Sequence, residues 1–355
     1  MSPSAKEGTC LAALIRLAIP ICQRAERECP RKGPGRKPQI PDWVMAVLIV
    51  VAIAKQRKSK SSQYRYLKAH RQQLLEALGT DHFPSRTTYF DRYRRAWKLY
   101  EVVIRLAGEK AVKKQFVSAR CVAVDKSVVP ARGPLWNKRH VARGRIPKGA
   151  DLDATWTFSA YQGWVLGYSY EVVVTAEKAG PVWPLVASAG PASWQPNRTF
   201  PHKIPQLHRE TRYVLADSGY DSNDLSDMVE LHDASHRTRR RLLCPQYRRG
   251  KPRDPSRKHK ENQHRKQRRL RREERLVFFE RPFAQRLIRR RGVRIEPFND
   301  WLKSRFDLHH HAWHRGLDNN RTQLLAAIFG YQLLLHLNHQ RGHHDGCIQW
   351  ILDEL

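Results

Sequence analysis

In YVLADSGYDS, residues 213–222, an apolar run ends in a carboxylate followed by a glycine turn. Tyr213, Val214, Leu215 and Ala216 suit a short strand buried on both faces, which sets Asp217 at its carboxyl end. Ligands of open α/β sheets gather beyond the carboxyl ends of strands, and Gly219 lets the backbone turn there without a Cβ penalty. An acid in that place can hold a metal ion. Alone, an Asp beside a Gly reads as a turn or cap residue. Its company argues for more, because Cys121, Val122, Ala123 and Val124 run the same way into Asp125. A third acid, Glu296, precedes Lys303 by about two helical turns, so the two share nearly one helix face. Three acids and a lysine make a candidate metal site; without the aspartates, Glu296 and Lys303 would be an ordinary exposed ion pair.

The segments VAVDKSVV, VLADSGYDS and IEPFNDWLKSRF resemble the Asp, Asp, Glu series of bacterial insertion-sequence transposases of the DDE type. Glu296 and Lys303 match the tail of that group's Y-x2-R-x3-E-x6-K signature. Its tyrosine and arginine fall instead on Arg289 and Gly292, so either Arg291 or Arg294 takes the arginine's part or the part is lost. The resemblance spans roughly residues 55 to 340. It implies the fold class α/β: an RNase H-like mixed sheet flanked by helices, with an all-helical N-terminal DNA-binding domain. It also implies Asp125, Asp217 and Glu296 as catalytic metal ligands, Asp125 bridging two ions, and Lys303 as a fourth catalytic residue on a phosphate. Carboxylates suit Mg2+, with Mn2+ as substitute, and two such ions about 4 Å apart supply what in-line phosphodiester cleavage needs. The implied reaction is hydrolysis at transposon ends, then attack of the freed 3′ hydroxyl on target DNA, in a complex of at least two copies. Two alternatives use the same residues: a metal-dependent nuclease without strand transfer, and a DNA-binding regulator derived from an inactive transposase.

The elements that must position these residues belong to a strongly basic chain. Its 355 residues hold 66 Lys and Arg against 33 Asp and Glu, a formal net charge of +33. Such an excess repels itself unless a polyanion screens it, which points to double-stranded DNA as partner. Six cysteines without C-x2-C pairs signal neither a zinc ribbon nor a disulfide scaffold, and fit a reducing bacterial cytoplasm with nucleoid association. The longest apolar run, residues 44–54, falls short of the ~20 residues a bilayer needs, so no membrane partner is expected and the run reads as a buried helix.

We divide the chain into a helical N-terminal region over 1–112, a catalytic domain over 113–340 and a tail over 341–355. In the first, residues 61–108 suggest a helix-turn-helix unit: a helix over 61–78 stopped by Gly79, then one opened by Pro84 and the cap Ser85. The second helix carries Arg86, Thr87, Thr88, Arg92 and Arg95 as DNA-binding candidates, although a plain helical hairpin with a solvated basic face has the same pattern. In the catalytic domain, 121–129 reads as a strand, 155–176 as a hairpin turning at Gln162 and Gly163, and 179–205 as an irregular crossover. Residues 223–232 read as a helix and 242–244 as a strand. The loop between the first two strands is basic and suited to touch phosphate. The basic insertion over 248–275 is too densely charged to fold against a core; its Arg248 and Arg249, with Arg294, complete the DNA-binding candidates. Pro297 requires that Glu296 open its helix or that the helix be kinked. HHHAWH, residues 309–314, reads as a polar loop, and 324–337, apolar on almost every side, as a buried helix.

Overall fold

The computed structural model describes residues 3–30, 38–231, 237–246 and 263–354. Helices come first: α1 (Pro3–Glu28), α2 (Asp42–Ala54), α3 (Lys60–Ala69), α4 (Arg71–Leu78), α5 (Arg86–Tyr93) and α6 (Trp97–Lys113). The apolar run is α2, buried from Val44 to Ile53. Where one helix is expected over 61–78 the chain breaks at His70, whose ring sits 2.9 Å from the Tyr66 carbonyl, and Gly79 ends α4 in left-handed backbone at φ 64°. Ser85 caps α5 through the Thr88 N–H, as its position suggests. A second break separates α5 from α6. Thr322 explains it: its hydroxyl donates to the Tyr93 carbonyl at 2.7 Å and accepts from the Trp97 N–H at 3.1 Å, satisfying backbone groups the interrupted helix leaves open.

β1 (Cys121–Pro130) starts the sheet, and after the short helix α7 (Lys138–Ala142) come β2 (Thr155–Ser159) and β3 (Gly163–Thr175), a hairpin turning at Gly163 with φ 71°. β4 (Pro184–Pro191) pairs antiparallel with β3 inside the stretch read as an irregular crossover. Its prolines stand at its two ends, where a strand tolerates a missing N–H, and they disguised it. α8 (Pro196–Thr199), β5 (Tyr213–Leu215), α9 (Asn223–Val229) and β6 (Arg241–Leu243) follow. The order is β2, β3, β1, β5, β6, with β4 also on β3; β1, β3 and β4 are antiparallel, and β5 and β6 run parallel to β1.

The chain ends in α10 (Gln263–Glu280), α11 (Pro282–Arg305), α12 (Leu317–Gln340) and α13 (Gln349–Asp353). α12 is buried from Leu324 to Asn338 because it packs on α2 and α6 and also on β4. Its Gln332 amide donates to the Ile104 carbonyl of α6 and the Pro184 carbonyl of β4, at 2.9 and 2.8 Å. One apolar core therefore runs from α1, α2 and α6 through α12 into the sheet.

The structure bears on three local expectations. The described part of the basic insertion opens α10, which buries no side chain but lies on acids of residues 221–230 through Arg268–Asp224, Arg271–Asp227, Arg272–Asp221 and Arg275–Glu230 ion pairs. Those acids supply the neutralisation the basic sequence lacks; Arg248 and Arg249 lie outside the described residues. Pro297 sits inside α11, on its exposed side, where solvent can take the carbonyl that the missing N–H leaves free. His314 is buried with its Nε2 3.1 Å from the Tyr93 hydroxyl, and burial pushes its pKa down to about 3, whereas His309, His310 and His311 are exposed.

Beneath the Asp217 turn lies a buried ion pair, Glu171 of β3 with Lys203, 4% and 3% exposed. Glu171 Oε1 also accepts from the Tyr220 hydroxyl at 2.8 Å and from Thr199 Oγ1 at 3.1 Å. Removing one member strands a charge in the core. We expect Glu171→Leu to cost ~3–5 kcal/mol in urea unfolding, and Glu171→Leu with Lys203→Met to recover most of that loss.

Candidate active site

β1 and β5 run parallel with Ala123 beside Leu215, so Asp125 and Asp217, each two residues further on, occupy equivalent places on adjacent chains. The apolar residues before them, Val122 to Val124 and Val214 to Ala216, are fully buried and anchor both segments. Asp217 Oδ1 accepts the Gly219 N–H at 2.9 Å and so caps the short turn Ser218–Tyr220. The Ala216 N–H donates to the Leu243 carbonyl at 2.9 Å, and the Cys244 thiol donates to the Asp217 carbonyl at 2.7 Å, fixing this strand end to β6. Asp217 is thus a turn cap through Oδ1, with Oδ2 on the side of Arg291.

The two carboxylates converge on one point. Arg291 Nη2 of α11 lies 2.7 Å from Asp125 Oδ1 and 3.7 Å from Asp217 Oδ2. Asn299 Nδ2 donates to Asp125 Oδ2 at 2.8 Å, and Asn299 Oδ1 accepts from the Tyr170 hydroxyl at 3.0 Å. Arg291, Ile295, Phe298, Asn299 and Leu302 recur at helical spacing, so the buried Ile295, Phe298 and Leu302 dock α11 while Arg291 and Asn299 meet the acid. Burial pushes the Asp125 carboxyl up to about 6; the Asp217 charge acts in the same direction and Arg291 opposes both. Burial lowers the pKa of Lys303, and the Asp125 and Asp300 charges oppose that shift.

Asp125 and Asp217 therefore gather with Arg291 and Asn299, and Glu296 does not join them. It is exposed on the flank of α11, and among the described residues no group of three metal-ligating side chains forms. Of the two arginines weighed for the signature position, Arg291 stands at the aspartates, whereas Arg294 donates to the Lys178 and Gly180 carbonyls. Asn299 escaped the sequence reading; its spacing from Arg291, about two helical turns, was the available signal. Among the N-terminal candidates Arg86, Thr87 and Arg95 are exposed, Thr88 Oγ1 is bonded to Ser85 Oγ at 2.9 Å, and Arg92 is committed to Asp42 and the Ile40 carbonyl. A cation already sits between the two aspartates, so the pair fits a divalent ion with oxygen ligands; Glu296 would have to turn inward to join it.

A mixed sheet in this strand order, with acids at the ends of adjacent parallel strands, is compatible with an RNase H-like nuclease fold. The chain belongs to the transposase DDE domain family, whose model matches residues 117–333. That makes it a transposase-type nuclease with DNA as substrate, in a family that generally uses a divalent metal ion. No curated protein and no solved structure matches it. Among the described residues no helix is long and apolar enough to cross a membrane.

The raised Asp125 pKa has a stability consequence. Ionisation is disfavoured in the folded state, a cost of up to ~3 kcal/mol that is fully present above pH ~6 and fades as pH falls toward ~4. We expect Asp125→Asn to melt above the wild type at about pH 7.5 in metal-free buffer, with the gap closing by about pH 4.

Proposed function

We propose that the protein is a DNA transposase that cleaves transposon ends and joins them to target DNA, with Asp125 and Asp217 as the paired metal ligands. The observation that carries this reading is their convergence from adjacent parallel strands on the single point that Arg291 Nη2 occupies. Bound there, divalent ions, Mg2+ or in its place Mn2+, would activate water, neutralise the scissile phosphate and stabilise the leaving oxygen. Asp125, the more buried acid, would hold the ions, and Asn299 bonds its second oxygen so that the carboxylate keeps one orientation. Glu296, once turned inward from the flank of α11, would complete the ligand set. Lys303 binds a phosphate of the cleaved end. With ions held there, Arg291 would be free to bind a phosphate oxygen, a role that suits a guanidinium's paired donors.

The N-terminal helices present Arg86, Thr87 and Arg95 to double-stranded DNA, and handling two ends calls for at least a homodimer on DNA in the bacterial cytoplasm. The position of Glu296, away from the aspartates, favours a second reading, a DNA-binding regulator that no longer cleaves.

The test is Mg2+-dependent cleavage of DNA carrying the gene's own flanks, comparing wild type with Asp217→Asn and Glu296→Gln. Cleavage at two defined ends, reduced at least ~100-fold in both variants while DNA binding persists, is the expected result. Joining of the labelled ends to a target plasmid separates the transposase from a plain nuclease. Binding without cleavage by the wild type supports the regulator. A second expectation concerns Arg291→Ala: leaving the two acids without their cation, it should lower the melting temperature, and Mg2+ should restore more in this variant than in wild type.

A further inference from the structure

Half of the large hydrophobic side chains that stand exposed among the described residues fall in one short stretch, from Leu135 to Trp164. Three are aromatics at the β2–β3 hairpin: Phe158, Tyr161 and Trp164, 65%, 94% and 70% exposed. Phe158 and Trp164 are direct cross-strand partners, with ring centroids 5.8 Å apart and ring planes at 74°. Nothing in the core explains them. Each costs free energy in water, and the hairpin carries them on a two-stranded projection that packing does not need.

Their setting is basic. From Lys126 to Ala150 the chain contains no acid, and Lys138, Arg139, Arg143, Arg145 and Lys148 are exposed and form no ion pair among the described residues. This loop is tied to the hairpin. Trp156 Nε1 of β2 donates to the Trp136 carbonyl at 2.7 Å, and the Tyr168 hydroxyl of β3 donates to Asp151 Oδ2 at 2.5 Å. Side chains alternate along a strand, so Trp164, Leu166, Tyr168, Tyr170 and Val172 share one face of β3, and Asp125, paired with Val172, lies on that face too. Trp164 stands roughly 25 Å along the strand from Val172, at ~3.3 Å per residue.

We infer that the β2–β3 hairpin and the basic loop before it bind unpaired DNA, the loop holding phosphates and Phe158, Tyr161 and Trp164 stacking on exposed bases. This rests on the reading of the chain as a DNA-processing enzyme and adds a strand-binding surface to it. The chemistry selects the occupant. A second copy of the chain would bring the same basic loop against this one. A duplex hides the π-faces of its bases and needs only the charges, whereas an unpaired strand offers both phosphates for the loop and rings for the aromatics. Stacking needs no particular sequence, which suits a surface that meets many DNA flanks.

The experiment uses the full chain in EDTA, so that no cleavage chemistry enters. Its fluorescein-labelled probes are a short duplex of arbitrary sequence, either blunt or carrying an unpaired oligothymidine tail. The wild type should prefer the tailed probe. Phe158→Ala with Trp164→Ala should weaken tailed binding roughly tenfold and blunt binding less than about twofold, and Trp164→Tyr should retain the preference. Arg143→Ala with Arg145→Ala should weaken both probes and flatten the salt dependence. All these side chains are exposed, so melting temperatures should stay at the wild-type value. Equal loss on both probes, or no loss on the tailed one, would overturn the proposal. So would a shift in oligomeric state by sedimentation with the tail preference intact, which would assign the aromatics to a protein partner. Loss of cleavage activity in the wild type with the tail preference intact would count against the catalytic reading alone.

Discussion

Two like charges brought to neighbouring strand ends repel each other, and the site is built around that repulsion. The parallel register of β1 with β5 places Asp125 and Asp217 at equivalent positions, and neither can leave without pulling out the fully buried residues that precede it. A cation must therefore stand between them. Arg291 fills that place, Asn299 saturates the remaining Asp125 oxygen, and α11 is held against the sheet by Ile295, Phe298 and Leu302 so that both can reach. The same demand for positive charge is what makes the pair suited to divalent ions.

Much of this was legible because it depends on local pattern. An apolar run ending in Asp, repeated at 121–125 and 213–217, marks buried parallel strands whose ends face one site, and the core helices α2 and α12 announce themselves by unbroken apolarity. What escaped depended on tertiary partners. The break before α6 is made by Thr322, more than two hundred residues away, and β4 was hidden by prolines whose tolerance depends on their place at the strand ends. Arg92 reads as a DNA ligand but is held by Asp42, and α10, which buries no side chain, is held by ion pairs to the acids of residues 221–230. Charge patterning in one segment does not reveal the charges opposite.

Glu296 is the informative departure. Its spacing to Lys303 places both on one side of α11, yet Lys303 is half-buried while Glu296 is exposed. Pro297 follows it directly and removes one rung of the helix ladder there. The net charge of +33 bears on the same point, since DNA binding would add phosphates to the face the acids occupy and raise the local demand for cations.

The most direct test of the central claim is equilibrium binding of Mn2+ to the DNA-free protein, followed by electron paramagnetic resonance of the free ion. If Asp125 and Asp217 form a divalent-cation site, the wild type binds Mn2+, Asp125→Asn and Asp217→Asn each weaken binding at least ~10-fold, and Arg291→Ala, which removes the competing guanidinium, tightens it. Binding by both aspartate variants at the wild-type affinity would contradict the account, because the ions would then be held elsewhere.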